Sequence, residues 1–427
     1  MNANVGSGKL AVLVGGGPAP GINGVIHAVV NQAAQNGLEV IGLYDGFKHL
    51  VEGDLVGATL TPQSVSYIQD QGGSILRTSR ANPTHSETAM RRCVTTLAEA
   101  GVSALISIGG DDTAYSASRV ARYAQEVMGI SLQSVHVPKT IDNDLPLPEE
   151  IPTFGFETAR DLGSQLVMNL KRDAVTSQHW FLVLTMGRKS GHLALGIGNS
   201  TAATVTLIPE EWEGRDIRLQ EVVDILVTTI LLRNMNSKPY GVALLAEGIL
   251  ENLAREDLKA LDHVERDEHG HIRLAEVNFL DILKKEMERD LKRLGVSVRL
   301  VKHVLGYELR CAAPNAYDIE YTRTLGQAAV TFLLGGGSNA IITLQHSQAI
   351  PIPYDAMINP ETGRTEVRMV DIHSYRYLSA YKFMTRLKPE NCDDPALFER
   401  LAAQTNLDAP SFLRRYGYLA GLSPRPY

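Results

Sequence analysis

Four carboxylates and one lysine stand in two short runs, Gly109-Gly110-Asp111-Asp112-Thr113 and Pro138-Lys139-Thr140-Ile141-Asp142-Asn143-Asp144. Each run follows an apolar, strand-like segment. Its acidic residues therefore fall beyond the carboxyl end of a strand, where ligands sit in an open α/β sheet. Carboxylates there suit a bound cation or an abstracted proton, and a lysine suits an oxyanion. The combination reads as a site for phosphoryl transfer.

A third segment supplies a place for phosphate. Lys9 to Val14 is a short apolar run that ends in Gly15-Gly16-Gly17-Pro18-Ala19-Pro20-Gly21. Beyond it Ile22, Val25, Ile26, Val29, Val30 and Ala33 recur at helical spacing until Gly37. Strand, glycine turn and helix start bring unpaired amides and a partial positive charge to one point, which favours an oxyanion. A tight connection between strand and helix would look the same, so the turn gains meaning only beside the acidic runs.

The elements that must position these groups alternate along the chain. Strand candidates at Lys9–Val14, Val40–Tyr44, Ala104–Ile108 and Ser134–Val137 are separated by helical patterns, the sequence form of a parallel sheet wrapped by helices. A second series follows Pro152: a helical pattern over Glu157–Leu170, strand patterns at Trp180–Thr185, Val205–Ile208 and Val242–Ala246, and a charged, amphipathic helix over Leu280–Leu294. The expected fold class is α/β with mainly parallel sheets. At 427 residues, 44% hydrophobic and 21% charged, the chain is long enough for two domains. A formal charge of −7 argues against nucleic-acid or acidic-membrane partners. No apolar run approaches the roughly 20 residues needed to span a bilayer, and no basic region followed by an apolar stretch opens the chain. Cys93, Cys311 and Cys392 are too scattered for a disulfide framework or zinc site, so reduced thiols and a cytoplasmic location are expected.

Five motifs in order give the chain a resemblance. They are Gly16-Gly17-Pro18-Ala19-Pro20-Gly21-Ile22-Asn23, the two acidic runs, Met186-Gly187-Arg188-Lys189-Ser190-Gly191, and Leu305-Gly306-Tyr307-Glu308-Leu309-Arg310. Up to about residue 345 the chain resembles the phosphofructokinase family, and within it the pyrophosphate-dependent branch. The resemblance implies two Rossmann-like, three-layer domains. The first, for the phosphoryl donor and Mg²⁺, would span 1–155 and be rejoined by about 318–372, with Ala340–Leu344 as its last strand. The second, for the sugar phosphate, would span 156–317, with 373–427 as a helical extension. The implied reaction is reversible phosphoryl transfer between pyrophosphate and fructose 6-phosphate, giving fructose 1,6-bisphosphate and phosphate, in glycolysis and gluconeogenesis. An ATP-dependent enzyme, or a non-catalytic regulatory member, is the alternative; a dead subunit has no chemical need for Asp111, Asp142 and Arg188.

The roles implied by the resemblance attach to individual residues. Asp111 holds Mg²⁺; Gly16, Gly17 and Lys139 hold pyrophosphate; Asp142 takes the proton of the sugar 1-hydroxyl; Arg188 and Lys139 steady transferring charge. Thr140, Ile141, Met186, Gly187 and Glu247 contact the sugar, Asp144 supports the site or its metal, and Tyr307 and Arg310 grip the 6-phosphate. Asp112 and Lys139 stand where the ATP-using branch has glycine and so set donor choice. Tyr307 replaces a histidine of that branch. His179 replaces an arginine that reaches the site from a neighbouring subunit, which implies a homodimer or homotetramer, with Arg299 or Lys302 as a second cross-subunit cation. His27, Asn31 and Asp54 replace cationic effector contacts, implying non-allosteric kinetics. Sedoheptulose 7-phosphate, with a similar reacting end and a longer tail, is an alternative acceptor to fructose 6-phosphate.

Simpler readings accompany these. Asp111 or Asp112 could cap a helix beginning near Thr113, Asp142 to Asp144 could be turn residues, and Arg188 could form a structural ion pair. His263, His269 and His271 superficially suggest a metal cluster but fit a solvated, glycine-centred turn better. Gly335 to Gly337 fit a helix end.

Overall fold

The computed structural model describes residues 8–148, 150–259, 279–361 and 365–422. His263, His269 and His271 lie outside the described residues. The chain divides into two compact units. Unit 1 comprises Met1–Leu162 with Tyr307–Arg368, and unit 2 comprises Gly163–Gly306 with Met369–Tyr427. In chain order the described strands are β1 (Lys9–Val14), β2 (Val40–Leu43), β3 (Gly57–Leu60), β4 (Val102–Gly109), β5 (Gln133–Pro138), β6 (Trp180–Thr185), β7 (Val205–Leu207), β8 (Gly241–Ala246), β9 (Leu300–Leu305), β10 (Ala340–Gln345) and β11 (Gln348–Pro353).

Unit 1 carries a seven-stranded sheet in the order β11-β10-β5-β4-β1-β2-β3. The pairs from β10 through β2 are parallel, and the β2–β3 and β10–β11 pairs at the two ends are antiparallel. β1 is apolar almost throughout and buried because helices cover both faces, which removes the alternation a one-sided strand would show. One face buries Leu10, Val12 and Val14 against Ile22, Val25 and Leu325; the other buries Ala11 and Leu13 against Leu97 and Val120.

This topology positions the site. From β1 the chain moves to β2 on one side, whereas β4 and β5 lie on the other, so the order reverses between β1 and β4. Ligands bind beyond the carboxyl ends of strands at such a reversal. Val14 is in register with Ile108, and Gly109 with Pro138. Gly15, Gly110 and Lys139 therefore leave three neighbouring strands at one level.

Unit 2 has a four-stranded parallel sheet in the order β7-β8-β6-β9. Thr185 is in register with both Ala246 and Leu305, so Met186, Glu247 and Gly306 leave adjacent strand ends together. The segment after Met369 packs into this unit's core through Tyr377, Phe398, Leu401, Phe412 and Tyr416.

The α/β class with mainly parallel sheets is as expected from sequence. The helix expected over Leu280–Leu294 spans Phe279–Arg293, and Gly335 caps the helix Ala316–Leu334. Ala340–Gln345 is not the last strand of its sheet, because β11 follows it. Pro351 and Pro353 mask that strand in the sequence; proline is tolerated there because β11 lies at an edge. β9 was hidden for a related reason: at its own sheet edge it carries Lys302 and His303 between buried ends. Among the described residues no helix is long and apolar enough to cross a membrane.

Candidate active site

The glycine turn of unit 1 is shaped by contacts that only small residues allow. Gly16 has φ +79°, in the left-handed region that favours glycine. Its amide donates to Ser79 O at 2.9 Å, and its carbonyl accepts from Thr78 Oγ1 at 2.6 Å. A Cβ on Gly17 would lie 2.0 Å from an Arg310 guanidinium nitrogen. Asn23, buried in the first turn of helix Ile22–Gln35, donates to the carbonyls of Gln71 and Gly72 and accepts from Ile75 N at 2.9 Å. It ties the end of the motif to the loop leading to Thr78.

Beyond β4, Gly109 is fixed from below. Its carbonyl accepts from Lys139 N at 2.7 Å and from His136 Nε2 at 2.9 Å. A carbonyl can only accept, so Nε2 carries the proton and Nδ1 accepts from Ser107 Oγ at 2.8 Å. Complete burial pushes the His136 imidazole down to about 3, so it stays neutral. Asp111 and Asp112 occupy the first turn of helix Asp111–Val127, and Asp111 Oδ1 accepts from Asp112 N at 2.9 Å. The helix begins at Asp111 with Gly110 at its N-cap, so the expected capping by an aspartate ahead of Thr113 gives way to a first-turn position. It leaves their carboxylates beside the partial positive charge of the helix start.

Beyond β5, Lys139 is 4% exposed, and its Nζ donates to Gly17 O. Burial first, then the Arg310 and Arg80 cations, push its ammonium down to about 8, while Asp142 and Asp144 oppose the shift. Lys139, Arg80 and Arg310 thus concentrate positive charge at the glycine turn, and the guanidinium of Arg310 also lies 5.5 Å from the Tyr307 ring centroid. The turn after Lys139 is held internally: Asp142 N donates to Thr140 Oγ1 at 3.0 Å, and Thr153 Oγ1 donates to Thr140 O at 2.6 Å. Asn143 sits at φ +57° with its Oδ1 accepting from Thr153 N at 3.0 Å, which gives that residue a conformational reason to be asparagine. Ile141 is buried.

Unit 2 holds its own set. Gly187, with φ +132°, donates to Glu247 Oε2 at 3.3 Å, and Glu247 N donates to Thr185 O at 2.9 Å. Glu247 is 7% exposed. Arg188 meets Glu251 Oε1 through Nε at 3.0 Å and Nη2 at 2.9 Å, so the ion-pair reading is realised. Glu210, whose carboxyl is pushed up by burial, accepts from Gly191 N at 2.8 Å and Val370 N at 3.0 Å, fixing the end of the Met186–Gly191 motif. His179 directly precedes β6, half-buried. Lys302 is ion-paired with Asp281, whereas Arg299 is exposed.

Gly16, Gly17, Asp111, Asp112, Lys139, Thr140, Asp142, Asp144, Tyr307 and Arg310 therefore fall in unit 1, and Met186, Gly187, Arg188, Glu247 and His179 in unit 2. Sequence reasoning overlooked Thr78, Arg80 and His136. Thr78-Ser79-Arg80 has the composition of an anion-binding loop but lacks glycine punctuation, and His136 lies within a strand where nothing local marks it.

Among the described residues no group of three or more His, Cys, Asp or Glu side chains is placed to hold a metal. A divalent cation here would rest on Asp111 and on oxygens of the donor, the manner in which Mg²⁺ is usually held beside phosphates.

The family model described as phosphofructokinase matches residues 9–333. The chain is 47% identical over 420 residues to a pyrophosphate–fructose 6-phosphate 1-phosphotransferase of Thermotoga maritima, covering 97% of this chain and 99% of that one. It is 44% identical to a protein of the same description from Naegleria fowleri, covering 96% and 95%. The crystal structure of a pyrophosphate-dependent phosphofructokinase from Nitrosospira multiformis shares the fold with a TM-score of 0.67 at 16% identity, covering 99% of this chain and 94% of that one.

Proposed function

The chain belongs to the phosphofructokinase family, and from that premise we infer that it transfers a phosphoryl group between pyrophosphate and the 1-hydroxyl of fructose 6-phosphate. It is a phosphotransferase with an alcohol acceptor and acts in glycolysis. The observation that best supports pyrophosphate as donor is the buried Lys139 ammonium at Gly17, with Arg80 near it. A small, highly charged donor has no adenosine to anchor it and needs concentrated cationic contacts; each is worth about 1.5–3 kcal/mol.

Mg²⁺, when bound, would neutralise charge on the donor oxygens. On the protein side, Asp111 holds that cation, and the Gly16-Gly17 turn with Lys139 and Arg80 orients the terminal phosphate. Asp142 accepts the hydroxyl proton as the new bond forms, which typically contributes 10²–10⁴-fold. Thr140 orients Asp142 through its hydroxyl. Glu247 and the Met186-Gly187 turn serve the sugar hydroxyls, Arg188 steadies transferring charge with its guanidinium aligned by Glu251, and Tyr307 and Arg310 take the 6-phosphate. His179 acts across a subunit boundary in a homodimer or homotetramer. Arg299 is the better second cross-subunit cation, because Lys302 is paired with Asp281. The enzyme works in the cytoplasm and without a nucleotide effector.

Purified protein assayed with fructose 6-phosphate and Mg²⁺ should turn over with pyrophosphate and scarcely with ATP. A preference for ATP would overturn the donor assignment, and no turnover with either would favour the regulatory alternative.

A further inference from the structure

The described residues of the loop that carries Lys139, Thr140, Asp142 and Asp144, as far as Phe154, form no helix or strand, and an isolated bridge links Lys139 to Phe154. Backbone carbonyls in such a segment need partners that no strand or helix provides. Many of them share one side chain. Arg368 Nε donates to Asn143 O at 3.0 Å, and Nη1 reaches the carbonyls of Leu147, Pro148 and Ile151 at 3.3, 3.1 and 2.8 Å. Nη2 donates to Asn143 Oδ1, and the Arg368 amide donates to Asp144 O at 2.9 Å. Arg368 lies beyond residue 333, where the family model stops.

We propose that Arg368 is a positioning residue for the base: its guanidinium fixes the turn that presents Asp142, acting through Asn143 rather than on substrate. The chain of contacts is continuous. Asn143 Oδ1 takes Arg368 on one side and Thr153 N on the other, and Thr153 Oγ1 holds Thr140 O. Thr140 Oγ1 in turn receives the amide of Asp142. The two residues flanking Asp142 on its carboxyl side, Asn143 and Asp144, are both gripped by Arg368. Only a planar fork with several N–H groups at fixed angles can serve acceptors spread from residue 143 to residue 151; a lysine ammonium is a point charge with three donors. A misplacement of about 1 Å in a reacting group costs about 10²-fold in rate.

The proposal rests on Asp142 being the base, and two readouts separate the claims. Wild-type turnover with pyrophosphate tests the reaction itself. Hydrogen exchange in peptides covering 140–153, compared among full-length wild type, Arg368→Lys and Arg368→Ala, tests the loop without reference to turnover. The expected result is faster exchange confined to 140–153 in both variants, with kcat lowered about 10²-fold and the KM for fructose 6-phosphate changed far less. Added methylguanidinium should recover part of the lost kcat in Arg368→Ala and none in Arg368→Lys, where the lysine side chain fills the space. Folded variants with near-normal kcat and unchanged exchange would overturn the proposal. So would exchange that quickens across the whole of unit 1 without rescue, or failure of both variants to fold, since each makes Arg368 a general scaffold residue.

Discussion

Lys139 Nζ donates to the carbonyl oxygen of Gly17, joining the end of β5 to the glycine turn after β1. The bond holds a 4% exposed ammonium against a turn whose other close neighbour is the Arg310 guanidinium. The Arg310 cation beside it disfavours the charged form of Lys139, and an anion bound there would favour it. With the donor bound at this turn, as proposed, its binding and the protonation of Lys139 are linked.

That link has a sign. The Lys139 ammonium is pushed down to about 8, chiefly by burial, so in the free enzyme it loses its charge as pH rises through about 8. The kcat/KM for pyrophosphate reports the free enzyme and should fall about tenfold per pH unit above that point. The same depressed value means the unfolded chain holds more protons than the folded one between about pH 8 and 10.5, so this group's contribution to stability rises with pH there while donor capture declines. Lys139→Met should be weak at every pH and lack the alkaline limb. A limb that survives in this variant would assign the titration to another group.

Asp142→Asn removes the proposed proton acceptor but keeps the shape and the amide contact to Thr140. Fructose 6-phosphate binding should be nearly intact while kcat drops about 10²–10⁴-fold. Calorimetry of sugar binding beside steady-state kinetics separates the two effects. Near-normal kcat would mean that another group is the base.

Much of this arrangement is legible in the chain because strand ends and turns carry their own punctuation. β1, β6 and β8 are largely apolar runs, and the residues that directly follow β1, β4, β5, β6 and β8 are Gly15, Gly110, Lys139, Met186 and Glu247. Long-range pairing is what the chain hides. Nothing near Arg368 points to Asn143, and nothing near Arg310 points to Gly17, since both contacts depend on where the chain re-enters unit 1 after Gly306. Arg188 shows a different limit: its ion pair with Glu251 suits a structural residue and an aligned catalytic one equally well.

The replacements at the expected effector positions bear on kinetics. Asn31 donates its side-chain amide to His27 O at 2.8 Å, and burial with the nearby Arg323 lowers the His27 pKa, which favours a neutral ring. His27, Asn31 and Asp54 themselves offer no fixed cation to a nucleotide phosphate; the cation near His27 is Arg323. Saturation by fructose 6-phosphate should be hyperbolic and little changed by ADP or phosphoenolpyruvate. Sigmoidal curves relieved by a nucleotide would contradict this.

His179 ends the turn before β6, with its backbone amide bonded to Ala174 O at 3.2 Å. If its ring completes a neighbour's 6-phosphate site, the active species is at least a dimer. Light scattering of the active enzyme should give two or four chain masses, and His179→Ala should raise the KM for fructose 6-phosphate without dissociating it. A fully active monomer would remove both the assembly and the role of His179.

In the proposed reading donor choice turns on Asp112 and Lys139, at positions where the resemblance places glycines in ATP-using enzymes. Asp112 is exposed on the first turn of its helix; in the proposed donor site its carboxylate would meet whatever extends past the second phosphate. For ATP that would be the α-phosphate, which bulk and charge would both repel, whereas pyrophosphate would end before it. Lys139 acts in the opposite direction, supplying a charge-assisted contact worth about 1.5–3 kcal/mol to a donor with no adenosine. Asp112→Gly should admit ATP weakly and keep pyrophosphate use. Adding Lys139→Gly should weaken pyrophosphate about 10-fold to 150-fold, the factor that such a contact converts to. Kinetics of both donors on the single and double variants decide the matter: if Asp112→Gly still excludes ATP, the carboxylate is not the gate, and if the double variant keeps its pyrophosphate KM, Lys139 does not hold the donor.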